Sequence, residues 1–127
     1  MRLFVFGTLK RGYWNHARFI GGSPLVGTGR TVHKYVMYGG GFPLIASDLS
    51  WGKPVTGEVY DFDPRGGRLA RLDCLEGAYE RVRGLIQMDD GRTLWCSYYI
   101  IRDPDLRGRQ ANRAWDCGDC YTWESRR

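Results

Sequence analysis

Acidic residues are missing from the first 47 positions of this 127-residue chain, which hold six Lys or Arg and no Asp or Glu. The remaining 80 residues nearly balance, 13 basic against 14 acidic, so the net charge of +5 belongs to the N-terminal third. That field suits an anionic ligand there, and a solvated basic surface explains it equally. Long apolar runs are missing too. No stretch nears the roughly 18 residues of a membrane span, which argues against a membrane protein. The opening MRLFVFGTLK has an apolar run of only four residues and no small-residue cleavage site. It therefore does not read as a signal peptide, and a cytoplasmic location is the expectation. Basic runs with interleaved aromatics are lacking, so nucleic acid is not the expected partner despite a pI of about 9.2.

Histidine and cysteine are scarce, with two and four residues. Cys117 and Cys120 form a C-x2-C pair, half of a zinc site. The other half would need Cys74 with Cys96, 22 apart, or His16 with His33, 17 apart. Neither is a familiar ligand spacing, and a redox C-x-x-C would sit between a strand and a helix. Free thiols and no metal are the expectation.

What the chain does have centres on Pro64–Gly77, PRGGRLARLDCLEG. Asp63 is a good N-cap, Pro64 suits the first helical position, and Gly77 stands where helices commonly end. At about 100° per residue Leu69, Leu72 and Leu75 form one apolar stripe. Glu76 falls between Leu69 and Leu72 on that wheel, with Asp73 at the edge. A carboxylate facing an apolar stripe pairs or takes up a proton, and its pKa moves toward the 6–7 range useful to a general base. The alternative is that Glu76, in the last turn, bends out to water.

Along the chain, Arg2–Phe6 reads as a buried strand that breaks at Gly7-Thr8 into the basic turn Leu9–Gly12. Gly7 would let a ligand approach the backbone, and successive N–H groups of such a turn capture anions. An ordinary strand exit reads the same way. Tyr13–Ile20 reads as a short helix, Leu25–Tyr38 as one bent strand or two, and Gly39–Gly41 as a joint before Phe42–Ala46. Val55–Phe62 reads as a strand with Val55, Gly57, Val59 and Asp61 on one face. Tyr79–Met88 and Thr93–Arg102 form a hairpin over Asp89-Asp90-Gly91. Asp103–Arg127 reads as loop with a short helix. Five or six strands and one main helix in a single domain, residues 1–127, imply an α+β fold with a curved, barrel-like sheet.

Two segments together resemble a known family. Val5–Gly12 (VFGTLKRG) is similar to the Y-G-[ST]-L-x-x-G signature of the gamma-glutamylcyclotransferase-like family. Leu72–Arg81 (LDCLEGAYER) resembles its L-D-x-x-E-G-x-x-Y-x-R segment. Gly57–Tyr60 is similar to the strand preceding that helix, and Phe42-Pro43 to the family's aromatic-proline step. The resemblance implies a small barrel-like mixed fold with its cavity at the end of the first strand. It implies release of an amine or amino acid from a gamma-glutamyl compound as the glutamyl part closes into 5-oxoproline, without metal or cofactor. By position, Glu76 becomes the general base and acid. Phe6, Gly7, Thr8 and Leu9 become the cradle for the glutamyl head, and Tyr79 lines the cavity. Trp115, Tyr121 and Trp123 are candidates to cover it, or simply core. The family usually has Tyr where this chain has Phe6, which removes a hydroxyl and keeps a ring.

The chemistry accounts for those parts. The substrate's own α-amine attacks its γ-carbonyl, but as an ammonium it must first lose a proton. The gamma-glutamylamine branch is favoured by the G-T-L-K-R-G wording. The expected partner is thus a small gamma-glutamyl substrate, with a monomer as default. A non-catalytic module binding a carboxylate or amine on the same scaffold is the alternative, and a nucleic-acid-binding domain a weaker third.

Overall fold

The run Leu3-Phe4-Val5-Phe6 has no polar alternation because both of its faces are buried. In the computed structural model, which describes residues 1–38, 43–47, 52–76, 79–101 and 116–124, this run builds β1 (Arg2–Val5). Six further strands follow: β2 (Leu25–Thr31), β3 (Tyr35–Tyr38), β4 (Leu44–Ser47), β5 (Thr56–Asp61), β6 (Glu80–Met88) and β7 (Thr93–Ile100). One helix, α1 (Arg68–Leu75), and a π-helical turn, His16–Ile20, complete the described elements.

The five strands β1-β5-β2-β6-β7 close into a barrel, and β3 and β4 form a separate two-stranded sheet. β1 pairs antiparallel with β5 from Arg2↔Asp61 to Val5↔Glu58, and parallel with β7 through Leu3↔Ser97. β6 and β7 form the expected hairpin, registered from Glu80↔Ile100 to Gln87↔Thr93. Its turn is closed by Gly91 N–H on the Met88 carbonyl at 3.0 Å and Arg92 N–H on Asp90 Oδ1 at 3.0 Å.

Strand alternation sorts the apolar residues into two cores. Phe4, Phe6, Val59, Ile86, Cys96 and Tyr98 fill the barrel, joined by Tyr35 to Met37 and Trp123. Inside it the Tyr35 and Tyr98 hydroxyls satisfy each other at 2.7 Å. Leu3, Val5, Leu9, Ile20, Tyr60, Phe62, Leu72 and Tyr99 form the second core, between the sheet's outer face and α1.

Several expectations shift. The helix starts at Arg68 rather than Pro64, because Gly66 and Gly67 take φ of +66° and +78° and stop α-helical continuation. Asp63 instead accepts the Arg65 N–H at 3.0 Å and pairs with its guanidinium. Of the leucine stripe, Leu72 is fully buried and Leu69 packs partly, but Leu75 is 36% exposed, beyond the reach of the core at the helix end. Leu25–Tyr38 is two strands, and Tyr13–Ile20 narrows to the π-helical turn. Asp61 is exposed, 3.9 Å from the N-terminal ammonium, while Val55, Gly57 and Val59 are buried. Cys117 and Cys120 are joined in a disulfide rather than free. Their Cα atoms lie 5.3 Å apart across a turn that Cys117 N–H closes on the Cys120 carbonyl at 2.9 Å. Cys74 and Cys96 are free. Gly39–Gly41, Phe42, Gly77, Trp115 and, of the expected loop with a short helix over 103–127, residues 103–115 and 125–127 lie outside the described residues, and residues 116–124 form no helix.

Leu72→Ala is expected to destabilise the fold by about 2–5 kcal/mol in urea unfolding. Leu75→Ala is expected to stay within about 0.5 kcal/mol, the reverse of equal membership in one stripe.

Candidate active site

The end of β1 opens onto a cavity of about 430 Å³, its mouth included, lined by Phe4–Leu9, Pro43, Glu76, Tyr79 and Tyr99. The loop Phe6–Leu9 is pinned from behind. Lys10 N–H bonds the Gly7 carbonyl at 3.0 Å, and Asn15 N–H the Thr8 carbonyl at 3.2 Å. The buried Asn15 Nδ2 donates to Thr8 Oγ1 at 2.9 Å. His16 Nδ1 lies 2.8 Å from the Leu9 carbonyl, which can only accept, so that nitrogen carries the proton. The N–H groups of Gly7, Thr8 and Leu9 make no hydrogen bond among the described residues. Gly7 has no room for a side chain in any case: a Cβ there would lie 2.6 Å from Pro43 Cγ.

Glu76 follows the last turn of α1, its N–H on the Leu72 carbonyl at 3.1 Å and its own carbonyl receiving Tyr79 N–H at 2.7 Å. These bonds hold the residue at the cavity wall. Among the described residues its carboxylate has no hydrogen-bond or ion-pair partner. Burial alone pushes its pKa from 4.5 up to about 7. Asp73, three residues earlier, is paired. Arg81 Nη1 pairs with Asp73 at 3.2 Å, and Tyr99 Oη donates to Asp73 Oδ1 at 2.5 Å. Burial, and then that bond to Asp73, push the Tyr99 phenol well above its ordinary range.

The structure thus brings Phe6, Gly7, Thr8, Leu9, Glu76 and Tyr79 around one cavity. Phe6 is 8% exposed and sits in the barrel core, its ring 6.2 Å from Phe4. The N-terminal positive charge does not line this cavity. Lys10 turns away to donate to the Trp123 carbonyl at 2.6 Å and faces a separate concavity with Arg30 and Glu58. Tyr121 and Trp123 belong to the barrel core and not to the cavity wall. Tyr99, Pro43 and Asn15 were not singled out as site residues from the sequence. Alternation on β7 assigns Tyr99 to a face, but nothing local says that this face meets the Phe6–Leu9 loop.

The profile of the family described as Gamma-glutamyl cyclotransferase, AIG2-like, matches residues 3–122. A protein of Methanocaldococcus jannaschii named "Putative gamma-glutamylcyclotransferase" is 35% identical over 102 residues, 76% of this chain and 82% of that protein. The crystal structure of an AIG2-like protein from Mus musculus matches with a TM-score of 0.71 at 27% identity, covering 99% of this chain and 97% of the other. YkqA from Bacillus subtilis shares the fold with a TM-score of 0.66 at 24% identity, over 79% of this chain, which spans 35% of YkqA. No helix among the described residues is long and apolar enough to cross a membrane.

The raised pKa of Glu76 has a consequence for stability. Between about 4.5 and 7 the folded chain keeps a proton that the unfolded chain has lost. This contribution is complete below that window and is lost as pH rises through it, on the order of 3 kcal/mol for a shift of this size. Urea unfolding across this range should show wild type losing stability relative to Glu76→Gln as pH rises. Parallel curves would place the carboxylate in water.

Proposed function

This chain belongs to the gamma-glutamyl cyclotransferase, AIG2-like family, and we propose that it cyclises a gamma-glutamyl compound to 5-oxoproline with release of an amine. Glu76 acts as general base and then as general acid. The observation that carries this reading is a partly buried carboxylate, unpaired among the described residues, whose pKa is pushed by desolvation up to about 7 and which faces a cavity bounded by the Phe6–Leu9 loop.

The glutamyl head enters with its α-ammonium toward Glu76. At neutral pH an ionised Glu76 takes a proton from that ammonium, freeing the nitrogen lone pair for attack on the γ-carbonyl. Nucleophile and electrophile are tethered in one molecule, so the five-membered closure carries little entropic cost. The N–H groups of Gly7, Thr8 and Leu9 are the available donors for the α-carboxylate and for the oxyanion of the tetrahedral intermediate. Protonated Glu76 then gives its proton to the leaving nitrogen as the C–N bond breaks, and the surplus proton on the ring nitrogen passes to the freed amine, so the lactam is neutral, the amine departs as an ammonium and Glu76 returns to its starting state. A pKa near the working pH suits both halves of this shuttle, since neither protonation state is costly to reach.

A gamma-glutamylamine fits the described wall better than a gamma-glutamyl amino acid. None of the lining residues carries a basic side chain, so a second carboxylate on the leaving group would meet no cation there. Phe6 supplies packing and no hydroxyl, so the hydrogen bonds to the glutamyl head fall to the backbone.

Mass-spectrometric 5-oxoproline release over a panel of gamma-glutamyl amines and amino acids tests this. Wild type should turn over with a preference for amines, and Glu76→Gln should lose at least about 10²-fold in kcat. Wild-type kcat/KM should rise with pH through about 7, where Glu76 becomes ionised, and then level. Equal turnover by the variant would remove Glu76 as the base, and an inactive wild type would sink the reaction.

A further inference from the structure

The disulfide between Cys117 and Cys120 lies outside the cavity, in the segment that folds back over the barrel. We propose that these two cysteines form a reversible dithiol–disulfide couple that exchanges with small-molecule thiols, with Cys117 the sulfur that is attacked.

The couple is not what ties this segment down. It closes a loop of only four residues, so it removes little chain entropy from the unfolded state. The segment already has other anchors. Tyr121 N–H bonds the Pro54 carbonyl at 2.8 Å, Thr56 N–H bonds the Tyr121 carbonyl at 2.9 Å, and Trp123 is fully buried. Lys53 Nζ reaches both carboxylate oxygens of Asp116 at 2.7 Å.

Access is unequal. Cys117 is exposed, whereas Cys120 is 7% exposed. A thiol in solution therefore reaches Cys117, and Cys120 is the sulfur expelled. Thr122 Oγ1 stands 3.7 Å from Cys117 Sγ and 3.8 Å from Cys120 Sγ, placing a weak donor beside whichever sulfur becomes the thiolate. The hydroxyl is itself positioned by Thr56 Oγ1 at 2.7 Å. Around the pair, Asp116 is matched by Lys53, and Asp119 by Arg30 at 3.6 Å.

The exchange balances with two thiols. A first thiolate attacks Cys117 Sγ, forming a mixed disulfide and releasing the Cys120 thiolate, which takes up a proton. A second thiolate attacks the small-molecule sulfur, releasing the Cys117 thiolate and a small disulfide. The protein gains two electrons and two protons, and the two thiols lose them. The reverse reaction restores the Cys117–Cys120 bond.

The full chain carrying Cys74→Ser, which removes the other exposed thiol, would be equilibrated in mixtures of 2-mercaptoethanol and its disulfide. Acid quenching, alkylation and mass spectrometry then count thiols, with circular dichroism reporting the fold. The expected result is a complete, reversible passage between disulfide and dithiol without loss of fold. Added Cys120→Ser should accumulate a mixed disulfide at Cys117, at least about tenfold more than Cys117→Ser accumulates at Cys120. Persistence of the bond at the reducing end, its absence at the oxidising end, or equal trapping in the two variants would overturn the proposal. So would a tightly held zinc ion that keeps both thiols from alkylation; Cys117, Asp119 and Cys120 place three ligand atoms within 4.8 Å of one another.

Discussion

β1 has no face to spare, and the architecture follows from that constraint. Leu3 and Val5 go to the core under α1, and Phe4 goes to the barrel interior, as does Phe6 beyond the strand's end. Past the exposed Arg2, the run Leu3–Phe6 is buried on both sides, so it must be apolar at every inward and outward position and covered on both sides. The barrel supplies one cover and the helix the other. The parallel contact with β7 adds direction: the two strands leave their shared region at the same end. Tyr99, near the end of β7, therefore arrives beside the loop that follows β1. The cavity is the place where one strand ends, its parallel partner ends, and the helix delivers its last turn.

Two carboxylates three positions apart on the helical path meet that cavity region in different states. Asp73 collects both available partners, the Arg81 guanidinium and the Tyr99 hydroxyl. Glu76 is left with none among the described residues, and burial sets its pKa unopposed. A cation paired with Glu76 would stabilise its ionised form and pull its pKa down; none does so among the described residues, and burial alone holds the group near neutrality.

What was legible in the sequence was periodic and local. The LFVF run and the hairpin around Asp89-Asp90-Gly91 appear where the pattern puts them. Glu76 was legible because 100° steps place it between Leu69 and Leu72, whatever the helix start. That start was misread because Asp63-Pro64 is a strong entry signal, while the left-handed φ of Gly66 and Gly67 is settled by the path of the chain. Leu75 matched the stripe and yet lies beyond the packed region, since periodicity gives direction and not reach. Barrel closure, the arrival of Tyr99, and the turn that brings Cys117 to Cys120 depend on contacts that no local window contains. The positive N-terminal third was real as a composition, but its Lys10 faces away from the cavity.

Gly7 is constrained by a neighbour and not by its own torsions. Its φ is outside the left-handed region, and what forbids a side chain is Pro43 Cγ, 2.6 Å from where a Cβ would stand. The restriction is therefore a property of a pair. Position 7 gains freedom only when position 43 gives way, so substitutions there arise jointly or not at all. A single-site scan would score Gly7 as intolerant and attribute that to the loop, whereas a two-site library would reveal epistasis with the approach to β4.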